Sequence, residues 1–413
     1  MKRNILALLL IALLATNLLW LAFFMLGPER VVNALERRMH VYFGLELGGS
    51  VNVPIDLIVG PQITNDPLSK YQWALRMLLD GSEYWEIQGD APRDVVVAVI
   101  DRSPHMQHVD LVNSLYSGGG YNFIDGMSTL RVEDDFRSPN SSITHGQCAA
   151  SIIAAETDNN QGIAGVFHRA KIMPLQSDGH ISEAIDYAIV NGAEVILVAG
   201  GAGSAGRYLW PMYGNREALP DTKLYSEESL KEMRKILNSL DKAYQLGIPV
   251  ITGVGNTKSF GMSLFADHHS TISVAPHDIF GQVSKHTSFS YSFDIFAPGG
   301  SRIGIGNFNE LENSFQPLDS LRVFSPNADY DDPLCAVGYN EYSFLTLGSA
   351  AMPHVAGAVA MIKSYLPEAD VEDVRSLLRK STQPLVPSGH LLEARGGRLS
   401  LRLLREQIDI RLN

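Results

Sequence analysis

An unbroken apolar run, Val95-Val96-Val97-Ala98-Val99-Ile100, ends at a carboxylate, Asp101. Successive side chains of a strand point to opposite faces, so a run with no polar alternation needs cover on both sides. Lys171-Ile172-Met173-Pro174-Leu175, Glu194 to Ala199 and Pro249 to Thr252 read as further strands. Helical segments lie between and after them. One follows His145 through Ile152 to Glu156; the others are Ile181 to Asn191, Glu227 to Leu246 closed by Gly247, Ser349 to Tyr365 and Val371 to Thr382. This alternation predicts an α/β three-layer sandwich, with a mostly parallel central sheet flanked by helices. Sites in such folds gather at the carboxyl ends of strands and the amino ends of helices.

The amino terminus obeys a different rule. Lys2 and Arg3 precede an uncharged stretch from Ile5 to Leu26. At about 1.5 Å per helical residue it is long enough to cross a bilayer core of about 30 Å. It ends in Phe23-Phe24-Met25-Leu26 with no small-residue cleavage site, so it reads as an uncleaved signal anchor rather than a removed signal peptide. Arg30, Arg37 and Arg38 follow the span, so the charge count alone leaves orientation open. The expectation is a single-pass membrane protein whose main domain is extracytoplasmic, periplasmic or extracellular. The layout is then an anchor at 5–26, a linker at 27–63, a main domain at 64–383 and an extension at 384–413 with a helix from Leu399 to Ile408. Within the main domain, 300–347 reads as an insertion that either lines the cleft or decorates the surface.

The net charge of -12 argues against a nucleic-acid partner, which would need clustered Lys and Arg. The two cysteines, Cys148 and Cys335, form no disulfide framework; buried free thiols are the favoured reading, with one bridge between them as the alternative. No Cys/His group has zinc spacing.

Four segments carry chemistry. Asp101 closes its strand; His145, in Thr144-His145-Gly146-Gln147, opens a helix of small residues; Asn256 ends Gly253-Val254-Gly255-Asn256; and Ser349 opens Gly348-Ser349-Ala350-Ala351-Met352-Pro353-His354. Each alone has an ordinary structural reading, as a turn, a cap or a left-handed Asn. Together they supply what acyl transfer needs. A serine hydroxyl requires an imidazole base, the imidazole requires a carboxylate, and the oxyanion requires fixed donors. Ser349 lacks the Gly-x-Ser-x-Gly elbow, which argues against an α/β-hydrolase esterase.

Asn65 to Leu75, Gly162-Ile163-Ala164-Gly165-Val166 with Ala170 to Pro174, Asp294-Ile295-Phe296-Ala297-Pro298-Gly299 and Pro353 to Ala358 resemble the subtilisin-like serine peptidases. The resemblance implies a serine endopeptidase with Asp101, His145 and Ser349 as triad. It also implies Asn256 as oxyanion donor and Ala199, Gly200 and Gly201 as the edge that pairs with substrate backbone. The implied partner is a peptide or protein, and no cofactor is required. Structural calcium is common in the family, but Asp158-Asn159-Asn160-Gln161-Gly162 reads better as a polar turn than as a full ligand set. Arg102, Gln147, Ser151 and Leu347 depart from the family pattern, and 27–63 is short for the usual propeptide. These departures motivate a second reading, an inactive pseudopeptidase serving as a membrane-anchored peptide-binding module.

Overall fold

In the computed structural model the described residues are 55–101, 106, 108–128, 145–200, 227–256, 265–288, 293–301, 334–337, 341–387 and 396–413. The strands are β1 Val95–Asp101, β2 Tyr121–Asn122, β3 Ala170–Gln176, β4 Val195–Val198, β5 Val250–Gly253, β6 Thr271–His277, β7 Ile295–Pro298, β8 Leu334–Val337, β9 Glu341–Phe344, β10 Thr382–Gln383 and β11 Arg398–Leu399. The α-helices of five residues or more are α1 Trp73–Leu79, α2 Tyr84–Gln88, α3 His145–Ala154, α4 Ile181–Val190, α5 Glu227–Gln245, α6 Gly348–Tyr365, α7 Val371–Lys380 and α8 Leu401–Leu412.

Among the described residues, one large sheet runs in the order β10-β11-β7-β6-β5-β4-β1-β3-β2. Every pairing in it is parallel except β10 with β11. β8 and β9 form a separate antiparallel hairpin.

Strand β1 shows why the apolar run is continuous. Val95, Val97 and Val99 face a core shared with α1, α2, α3, α6, α7 and α8. Ala98 and Ile100 face the opposite core, built with α4 and α5. Both faces are dry, and each buried Val or Ile stabilises the fold by about 1.5–3 kcal/mol. The three-layer architecture is therefore as expected.

Chain direction fixes where the site lies. From β1 the chain reaches β3 on one side, then crosses through α4 to place β4 on the other side of β1. The order reverses there, so the carboxyl ends of β1 and β4 open a crevice. Helix α6 runs through the larger core with only Ser349 and Tyr365 not buried. It begins at Gly348, so Pro353 lies beyond its first turn. A proline has no N–H, so the Ser349 carbonyl lacks its helical donor there.

Several boundaries differ from the sequence reading. Strand β6 was not anticipated; its sequence, Thr-Ile-Ser-Val-Ala-Pro-His, carries polar residues that are nevertheless buried. The stretch after Pro384 supplies β11, parallel to β7, and α8, whose Leu401, Leu404 and Ile408 enter the main core. The expected anchor at 5–26 lies outside the described residues, among which no helix is long and apolar enough to cross a membrane.

Close packing of α6 depends on small residues. A Cβ on Gly357 would stand 2.6 Å from Val166 Cβ. Gly357→Ala should therefore lower stability by about 1–3 kcal/mol through overpacking. Thermal or denaturant unfolding beside the parent protein measures this, and unchanged stability would mean the contact relaxes freely.

Candidate active site

Asp101 is the last residue of β1, and its side chain is only 2% exposed. Its backbone carbonyl accepts the Ser177 N–H at 2.8 Å, which holds the strand end. His145 is the first residue of α3, and its Nδ1 lies 2.6 Å from Asp101 Oδ2. The neighbouring Asp101 charge raises the imidazole above its ordinary value, outweighing burial, which acts in the opposite direction. A buried carboxylate is costly unless paired, so this contact explains how Asp101 can sit in the core.

Gly200 follows the end of β4 by two residues. A Cβ on it would meet the Asp101 carboxylate oxygens at 2.9 and 3.0 Å. The glycine is thus required by the carboxylate itself, beyond the room it leaves for a substrate chain. The Ala199 and Gly200 N–H groups both donate to the Ile100 carbonyl, at 3.1 and 3.2 Å, which ties the two strand ends together.

Asn256 follows β5 through Gly255, whose φ of 108° suits glycine. Its Oδ1 accepts the Gly348 N–H at 3.1 Å. With Oδ1 so engaged, the Nδ2 donors are the part of the amide left for another acceptor. Leu347, just before α6, is buried with φ 62° and ψ -144°, a region that strains any residue but glycine. It is held there because its N–H donates to the Gly299 carbonyl and its own carbonyl accepts from Ala350 and Ala351.

Ser349, Asn256, Ala199 and Gly200 line one cavity of 190 Å³, with Val198, Thr252, Gly253, Gly255, Phe265, Gly348 and Met352. None of these lining residues is charged. The helices bearing His145 and Ser349, α3 and α6, pack directly on each other. Gly201 and Arg102 lie outside the described residues. Met352 and Phe265 were not foreseen as lining residues. The signal for Met352 was its position three residues after Ser349, which shares a helix face.

Gln147 is fully buried in α3, and Ser151, also buried, donates its hydroxyl to the Cys148 carbonyl at 2.9 Å. Cys148 is disulfide-bonded rather than a free thiol. The chain's other cysteine is Cys335, in β8, and β8 packs against α3. His354 is a neutral structural group: burial pushes its imidazole down to about 4, and Nδ1 lies 2.7 Å from the Ala350 carbonyl.

The 158–162 turn does not fit a calcium ion. Asp66 accepts N–H groups of Asp158 and Asn159 at 2.9 and 3.0 Å. Asp110 accepts from Asn159 Nδ2 and the Ile163 N–H, both at 2.9 Å. Asp158 accepts from the Asn65 N–H and the Trp85 indole at 2.8 and 2.6 Å. Calcium needs about 6–8 converging oxygens, whereas these carboxylates face N–H donors. Burial raises Asp110 to about 7 in spite of those bonds.

Fold and site together define a subtilisin-like α/β protein. The chain belongs to the subtilase family (Peptidase S8), whose family model matches residues 92–397. It is 27% identical over 389 residues to an extracellular protease of Xanthomonas campestris pv. campestris, covering 88% of this chain and 61% of that protein. It is 25% identical over 300 residues to the major intracellular serine protease of Bacillus subtilis, covering 71% and 75%. A solved protease structure from Pseudoalteromonas arctica superposes with a TM-score of 0.61 over 84% of this chain and 99% of that one; at 21% identity this likeness speaks for the fold.

The His145–Asp101 contact has a direct spectroscopic consequence. NMR titration should place the His145 imidazole above the ordinary 6.5. In Asp101→Asn it should fall to 6.5 or below, because only burial remains to act on it. An unchanged value in the variant would show that Asp101 does not set the charge of the ring.

Proposed function

We propose that this protein is a serine endopeptidase that hydrolyses peptide bonds through an acyl-enzyme. The observation that carries the reading is the 2.6 Å contact between His145 Nδ1 and the buried Asp101 carboxylate. With Nδ1–H held by Asp101, Nε2 is the basic nitrogen. It takes the Ser349 hydroxyl proton as Oγ attacks the substrate carbonyl carbon. The resulting oxyanion accepts from Asn256 Nδ2 and from the Ser349 N–H at the start of α6, where the helix dipole is also favourable. His145 then protonates the leaving amine, the C–N bond breaks and the acyl group remains on Ser349. Water, deprotonated by the same imidazole, releases the acid.

The substrate backbone is assigned to the edge formed by Ala199, Gly200 and Gly201, as an added strand. Residues 5–26 are assigned as a membrane anchor, with 27–63 as linker and the peptidase on the extracytoplasmic side. A second reading, a pseudopeptidase that binds peptides without cleaving them, draws on the strained Leu347 two residues before Ser349 and on Gln147 buried two residues after His145.

Reaction with a fluorophosphonate probe separates the two. The parent protein should be labelled and Ser349→Ala should not; a folded parent that resists labelling would favour the pseudopeptidase. Asn256→Ala should lower kcat about 100- to 1,000-fold with little change in KM, which steady-state kinetics on a peptide substrate measures. That is the range measured for removing one such donor in a related serine peptidase.

A further inference from the structure

A second cavity among the described residues lies away from Ser349. It measures 490 Å³, and its wall includes His268, His269, Asp294 and Arg375. The Arg375 charge is already matched there by Asp294 at 3.0 Å and by Glu372, and its guanidinium also donates to the His269 and Thr271 carbonyls. At the rim, His268 and His269, in the segment entering β6, face Asp241 on α5. His269 Nε2 lies 3.5 Å from Asp241 Oδ1, and His268 Nε2 lies 3.8 Å from the same oxygen. One ligand atom from each of the three residues falls within 4.8 Å of the others.

Two imidazoles and one carboxylate suit borderline cations such as zinc, in contrast to the all-oxygen sets of calcium and magnesium. With metal–ligand bonds of about 2.0–2.2 Å, neighbouring ligands around a tetrahedral ion stand about 3.3–3.5 Å apart. These two separations need only a few tenths of an ångström of closure, and the third, between the two imidazoles, lies within 4.8 Å. We propose that Asp241, His268 and His269 form a binding site for a divalent cation of the zinc class, with the fourth position open to water.

The surroundings are ordered for this task. Ser270 is fully buried and donates its hydroxyl to Asp241 Oδ1 at 2.6 Å, orienting the carboxylate as an outer-sphere partner does. The two imidazole rings lie with centroids 4.6 Å apart, and Tyr244 stands edge-on to His269 at 5.4 Å. Two contacts oppose binding, and one is that Ser270 Oγ lies 3.3 Å from His269 Nε2, the nitrogen that would hold the ion. In the other, the Ser270 N–H reaches His268 Nδ1 at 3.4 Å, and a metal on Nε2 moves the ring proton to Nδ1 and breaks it. The site is therefore one of modest affinity.

Its position gives it a structural role. A bound ion would join α5 to residues 265–270, and Phe265 lines the cavity beside Ser349. The site braces that wall without touching the reacting groups, and it does not depend on the proposed peptidase activity.

The test uses the full, untagged chain after chelator treatment, titrated with Zn²⁺ by calorimetry and with Co²⁺ by visible absorption. One equivalent of Zn²⁺ should bind and raise Tm, Co²⁺ should give the bands of a four-coordinate N/O site, and Ca²⁺ should do neither. His269→Ala and Asp241→Asn should each weaken binding at least tenfold. Their side chains are 59% and 41% exposed, so both variants should melt like the metal-free parent. His180→Ala, at an exposed histidine elsewhere, should bind as the parent does. Absence of saturable Zn²⁺ binding, or equal binding in the parent and both variants, would overturn the proposal.

Discussion

A buried carboxylate has to be matched, and in this protein the match is an imidazole 2.6 Å away. Much of the local structure follows from that need. Asp101 ends a strand that is dry on both faces, so its charge cannot turn back into the sheet. His145 must open its helix beside that strand end. Gly200 must lack a side chain, because a Cβ there would press on the carboxylate oxygens. The reversal of strand order around β1 supplies the crevice in which these requirements are met together.

The Ser349 side is held by backbone instead of charge. The Gly348 N–H fixes the Asn256 amide through its oxygen, and the strained Leu347 is pinned by bonds at both its N–H and its carbonyl. Strain of this kind persists only where the surroundings over-determine it, and it concentrates at functional turns. The polar turn at 158–162 is knit in the same direct manner, by N–H groups on Asp66 and Asp110. The disulfide at Cys148 adds a covalent tie to the helix that carries His145.

Most of this site was legible in the sequence because its residues occupy element ends, which local patterns mark well. The apolar run before Asp101 announced a strand buried on both faces, and the small residues after His145 and Ser349 announced helices packed in the core. Strand β6 escaped because Ser273, Pro276 and His277 break any simple period; their burial is imposed by β5, β7 and α6 on either side. The backbone of Leu347 and the bonding of Cys148 escaped for a related reason. Both depend on segments distant in sequence, Gly299 in one case and the element packed on α3 in the other. The meeting of Asp241 with His268 and His269 likewise exists only once α5 lies beside the entry to β6.

The proposed activity requires an imidazole whose basicity is set by Asp101 and delivered to Ser349. The most direct measurement is the rate of fluorophosphonate inactivation as a function of pH, in the parent protein and in Asp101→Asn. Attack requires neutral His145, so the parent rate should fall as pH drops through an inflection above 6.5. The variant should react slower by about 10,000-fold, because nothing then holds the ring in its productive tautomer. A parent rate that shows no such inflection, or a variant that reacts as fast as the parent, would contradict the account.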